Sequence, residues 1–152
     1  MSLPPRVFAP SPSHSHSDRP LRRAILLVED EPFVRQATSS ILEQAGFEVF
    51  STSDAQEAAK VYQDCKRRID LVMTDLVLPG RSGEQLGRDL QERSPDVVVL
   101  VTSGYDNPEY EKEAADSRTY FLAKPYSSKT LVEKIEKILA PPKLARAATQ
   151  AS

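Results

Sequence analysis

Four apolar stretches of this chain end in groups that can hold a cation or receive a phosphoryl group. Ile69 to Thr74 runs into Asp75, and Ile25 to Val28 runs into Glu29-Asp30-Glu31. Val97 to Val101 ends in Thr102-Ser103-Gly104, and Tyr120 to Ala123 ends in Lys124-Pro125. Three carboxylates gathered in one pocket repel and raise one another's pKa unless a cation holds them. Hard oxygen ligands that leave room for water suit Mg²⁺, which takes one or two protein carboxylates. Asp75, at a strand tip, is then placed as a nucleophile, since carboxylates form aspartyl-phosphates when the entering charge is neutralised. The acids and Mg²⁺ would hold one phosphoryl oxygen, Lys124 a second, and a hydroxyl of the fourth stretch the third. Each residue by itself has a plainer reading: a helix-dipole complement for Glu29-Asp30-Glu31, a loop cap for Asp75, a surface charge for Lys124, a strand end for Ser103. Only the joint pattern, in this order, points to chemistry.

The elements that would bring these groups together alternate in type. After the first strand, Val34, Ala37, Ile41 and Ala45 recur at helical spacing and Gly46 closes the helix. Glu48-Val49-Phe50 reads as a second strand. Ser53 with Gln56 forms a capping box for a helix burying Ala58, Val61 and Cys65. The third strand ends at Asp75, a loop covers Leu76 to Arg81, and Ser82 with Gln85 caps a helix with Leu86 and Leu90 inward. Asn107-Pro108 opens a fourth helix to Ser117, highly charged and apolar only at Tyr110, Ala114 and Ala115. Ser127 or Ser128 caps a fifth, with Leu131, Ile135 and Ile138 inward. The prediction is an α/β protein: a flavodoxin-like, doubly wound, five-stranded parallel sheet of order 2-1-3-4-5 with five helices. Its first, third and fourth strands, the most apolar, are central. Sites in such sheets lie beyond the carboxyl ends of the strands, at the switch point between strands one and three. Glu29, Asp30 and Asp75 fall there.

The 152 residues suffice for one domain with tails. Residues 1–22, rich in Pro and Ser, read as a disordered arm or linker, and His14 and His16 belong to it as solvated residues. Residues 23–140 form the domain, and 141–152 a flexible tail. With 20 basic and 22 acidic residues there is no basic stripe, and no nucleic-acid partner is expected. No apolar run approaches the roughly 18 residues of a membrane span, and no apolar leader is apparent. The single Cys65 excludes an internal disulfide and fits a reducing compartment. The cytoplasm is the expected location.

The motifs now on the page resemble those of response-regulator receiver domains of two-component signalling. The similarity runs from about residue 23 to 140. It rests on Ile25 to Glu31, Thr74 to Gly83, Val101 to Tyr105 and Phe121 to Pro125. The resemblance implies that Asp75 accepts a phosphoryl group from a histidine on a sensor kinase or histidine phosphotransfer domain. It implies Mg²⁺ on Asp30 directly, on Glu29 through water, on Asp75, and on the Val77 backbone carbonyl. Ser103 matches the switch hydroxyl, Phe121 the switch aromatic, and Lys124-Pro125 a junction that is cis in the family. Glu29 stands where aspartate is commoner. Thr102 competes with Ser103 as the hydroxyl, Ser103 being favoured because Gly104 follows it. Val77 and Tyr105 occupy positions that tune loss of the phosphoryl group.

The resemblance further implies that phosphorylation draws in Ser103, that Phe121 turns inward, and that the surface of the fourth helix, fifth strand and last helix shifts. The same surface is one through which receivers pair as homodimers. The chain would be a signalling phosphoacceptor, not a turnover enzyme, acting as a single-domain regulator or as the receiver part of a hybrid sensor kinase. Two rivals share the acids: a non-phosphorylated binding module of the same fold, and a phosphohydrolase of the haloacid dehalogenase type. The latter needs a second acid two residues after the nucleophile, where Val77 stands.

Overall fold

The structure, a computed structural model, describes residues 22–66, 68–104 and 118–140. Five strands form one parallel sheet: β1 (Ala24–Val28), β2 (Glu48–Thr52), β3 (Leu71–Asp75), β6 (Val98–Ser103) and β7 (Thr119–Ala123). Their order is β2-β1-β3-β6-β7, which is second, first, third, fourth and fifth along the main sheet, as predicted. The central strands β1 and β6 are buried at every residue, and β3 at all but Asp75. That is the pattern of strands covered on both faces.

Four helices are described: α1 (Pro32–Gln44), α2 (Ala55–Asp64), α3 (Gly83–Arg93) and α4 (Ser128–Leu139). The expected fourth helix, over 107–117, lies outside the described residues, as do residues 1–21 of the arm and the tail 141–152. Alternation along the strands divides the core in two. Leu26, Val28, Val72, Val99, Val101 and Phe121 pack with Ala58, Leu86 and Leu90 under α2 and α3. Ile25, Leu27, Leu71, Met73 and Leu100 pack with Leu42, Leu131 and Ile135 under α1 and α4. Each fully buried leucine of these clusters contributes about 1.5–3 kcal/mol by leaving water.

Several local expectations are corrected. α1 buries Thr38 and Leu42, while Ile41 and Ala45 are half-buried and Val34 is 39% exposed. The helix is turned so that Leu42 enters the core and Thr38, one turn before it, is buried on the same side. β2 continues past Phe50 to Thr52, whose hydroxyl donates to the Leu27 carbonyl at 3.0 Å. The cap of α2 is Asp54, not Ser53: its carboxylate accepts from the Glu57 N–H at 2.7 Å. Glu57, not Gln56, reaches back, and it accepts from the Ser53 N–H at 2.9 Å, one residue before the cap, so the reciprocal box expected at Ser53 and Gln56 does not form. Ser82 and Ser127 cap α3 and α4 as expected. The loop after Asp75 contains a small antiparallel hairpin, β4 (Val77–Leu78) with β5 (Arg81–Ser82). Pro79-Gly80 turns it, Gly80 at φ +79°, and Arg81 anchors it to Asp89 of α3 at 2.7 Å.

Candidate functional site

Side chains alternate across a strand, so parity decides which groups meet at the carboxyl edge. Glu29, Asp75, Thr102 and Lys124 continue the series of Leu27, Met73, Leu100 and Leu122, on the face covered by α1 and α4. One carboxylate oxygen from each of Glu29, Asp30 and Asp75 can be chosen so that all three lie within 4.8 Å of one another. Lys124 Nζ donates to Asp75 Oδ1 at 2.9 Å. Thr102 Oγ1 is 3.5 Å from the same oxygen, at the outer edge of hydrogen bonding.

Backbone bonds fix these positions. Glu29 N–H donates to the Thr52 carbonyl at 3.0 Å, Leu76 N–H to Thr102 at 2.8 Å, and Lys124 N–H to Ser103 at 2.7 Å. Arg35 of α1 donates to the Glu29 carbonyl at 2.8 Å. The Lys124-Pro125 bond is cis. Sequence reasoning quoted Gly83 without giving it a role. Here it begins α3 against the end of β3: a Cβ would overlap the Asp75 carbonyl oxygen and approach Thr74 Oγ1 to 2.7 Å. The Ser-Gly pair at the head of a helix was the signal available for it.

The electrostatics are those of a site short of positive charge. Glu29 is buried, and burial raises its carboxyl above the ordinary 4.5; the Glu31 N–H opposes this and the Asp75 charge adds to it. For Lys124, burial works against the charge, but the Asp75 hydrogen bond and the Asp75 and Glu29 charges outweigh it and leave the ammonium above 10.5. One lysine therefore faces three carboxylates. A small hard dication suits that donor set, since it would relieve the repulsion that Lys124 offsets only in part.

The remaining expected residues divide between two places. Ser103, buried at the end of β6, has the parity of Val101 and hence of Phe121, its neighbour in the register. It stands with the α2–α3 side rather than in the acid series. Phe121 is buried at 8% exposure and packs in the cluster under α2 and α3. Val77 is 69% exposed on the hairpin that leaves Asp75. Tyr105 lies outside the described residues. Among the described residues no helix is long and apolar enough to cross a membrane.

Comparison with known proteins agrees with this geometry. The response regulator receiver domain pattern matches residues 25–136. The sensor kinase CckA of Brucella abortus is 32% identical over 116 residues, which cover 76% of this chain and 12% of that protein. The transcriptional regulator DctD of Pseudomonas aeruginosa is 31% identical, over 76% of this chain and 25% of its own length. The chain thus spans a quarter or less of these two relatives. Among solved structures, the receiver domain of the hybrid histidine kinase CckA superimposes with a TM-score of 0.65 at 31% identity, covering 76% of this chain and 98% of that one. A receiver domain from Clostridium thermocellum gives 0.72 at 26% identity, covering 81% and 98%.

Proposed function

This chain belongs to the response regulator receiver domain family, and from that premise we propose that Asp75 is its phosphoacceptor, taking the group from a phosphohistidine on a sensor kinase or histidine phosphotransfer domain. The observation that carries this is the shared oxygen: Asp75 Oδ1, held by Lys124 at 2.9 Å among two further acids. In the transfer the histidine N–P bond breaks as the Asp75 Oδ–P bond forms. Mg²⁺ would be held by Asp30, Asp75, the Val77 carbonyl and, through water, Glu29, and supplies neutralisation of the phosphoryl charge. Lys124 pairs with another phosphoryl oxygen.

Ser103 turns from the Phe121 side toward the new dianion. The strand end moves with the hydroxyl, Phe121 turns inward into the space it vacates, and the change passes to the surface joining β7 and α4. Val77 and Tyr105 occupy sequence positions that tune loss of the phosphoryl group in the family; apolar and aromatic, they hinder the attacking water and prolong the phosphoryl lifetime. The domain serves either as a single-domain regulator or within a larger kinase, for receivers of both kinase and transcription-factor origin are among its relatives.

The test is intact-protein mass after incubation with Mg²⁺ and acetyl phosphate. One phosphoryl adduct, dependent on Mg²⁺ and absent from Asp75→Asn, is expected. Failure of the wild type to label from either acetyl phosphate or a phosphorylated kinase domain would remove the reading in favour of a binding module.

A further inference from the structure

A carboxylate is placed no better than the backbone that carries it, and at Asp75 that backbone is held from the far face of the sheet. Thr74, the residue before the acid, is 1% exposed and has the parity of Val72, which packs under α2 and α3. Its hydroxyl donates to the Asp75 carbonyl at 2.9 Å. The same peptide group donates its N–H, that of Leu76, to the Thr102 carbonyl at 2.8 Å. A peptide group is planar, so holding its oxygen and its N–H holds the plane. The next carbonyl, that of Leu76, accepts from the Gly83 N–H at 2.7 Å. Glycine at that position lets the head of α3 lie against Thr74 Oγ1 and the Asp75 carbonyl together. Before Asp75, β3 is fixed by its pairing with β1 and β6. With the plane beyond the acid fixed as well, the direction of the Asp75 Cα–Cβ bond is set.

We infer that Thr74 is a positioning residue for phosphoryl transfer to Asp75, its hydroxyl acting through the backbone from the face opposite the acids. The inference rests on the proposed role of Asp75 and concerns the same site. Position matters because a nucleophilic oxygen that shifts loses its alignment with the group it attacks and with Lys124, whose ammonium is 2.9 Å from Oδ1.

The experiment compares wild type with Thr74→Val, which keeps the branched shape and removes the hydroxyl, and with Thr74→Ser, which keeps the hydroxyl and removes a buried methyl. Thr119→Val is the control. That threonine is also buried, with its hydroxyl 3.4 Å from Gln91 Oε1, but it begins β7 at the opposite end of the sheet. Readouts are the rate of labelling by acetyl phosphate at saturating Mg²⁺ and the urea midpoint. Thr74→Val should slow labelling by about tenfold. Thr74→Ser should lower the midpoint, through the methyl it loses, yet label at the wild-type rate, as should Thr119→Val. Should Thr74→Val not fold, Thr74→Ala read against Thr74→Ser makes the same comparison of hydroxyl lost with hydroxyl kept. Equal slowing of Thr74→Ser or of Thr119→Val would overturn the positioning role. A wild type that does not label overturns the role of Asp75 and that of Thr74 with it; a labelling wild type with an unslowed Thr74→Val overturns the role of Thr74 alone.

Discussion

Asp70 and Asp75 sit five residues apart at the two ends of one strand, and they live in opposite electrostatic conditions. Asp70 Oδ2 accepts from the Ala24 N–H at 2.9 Å, and its other oxygen is 3.7 Å from Arg68. Nearby, Arg23 pairs with Glu136 at 2.9 Å. At that end of the sheet Asp70 and Glu136 each have their own cation, and the result is structure. At the carboxyl end Glu29, Asp30 and Asp75 converge on Lys124, and the unmatched negative charge is a standing demand for a cation. Residue type does not separate the two aspartates; the number of acids sharing one cation does.

The sharpest way to break that comparison is to move one asparagine between the ends. Asp75→Asn should abolish the acetyl phosphate adduct, and Asp70→Asn should keep it, as read by intact mass. Next in size is Lys124→Ala, which should slow labelling by about a hundredfold and tighten Mg²⁺ binding in calorimetry, since the acids lose the cation they share. Asp70→Ala should leave labelling at the wild-type rate but cost about 1–3 kcal/mol in urea unfolding, the penalty for orphaning a partly buried backbone donor.

The smallest effect is in pH. Because Glu29 is raised above 4.5 in the fold, the folded state holds its proton more tightly than the unfolded chain. Its contribution favours folding at acid pH and is lost as pH rises from 4.5 through the raised value. Metal-free wild type should therefore lose stability over that interval relative to Glu29→Gln, and saturating Mg²⁺ should abolish the difference. A flat difference between the two proteins would place Glu29 with the matched acids of the other end.

The sheet order and the four strand-end groups were legible because long apolar runs and terminal charges survive uncertainty about single residues. The α1 stripe departs from the expectation at Val34 because helical spacing fits two adjacent rows, and Thr38, polar in sequence, lies on the buried row with Leu42. The α2 cap slipped by one because Ser53 and Asp54 both suit the role, and only Glu57 decides between them. Gly104 favours Ser103 in the sequence, whereas strand pairing, which sets Thr102 opposite Asp75, can be read only from the register. The hairpin at Val77–Ser82 carries too few residues to signal itself.

The contact at Gly83 has a consequence for anyone altering this domain. A side chain there has nowhere to go except into the Asp75 carbonyl or the Thr74 hydroxyl, so the head of α3 and the tip of β3 behave as meshed gear teeth. A variant library that randomises the loop after Asp75 for a new partner can vary Pro79 without meeting this contact. It must hold position 83 at glycine, or every member will carry a displaced aspartate whatever its loop was selected to bind.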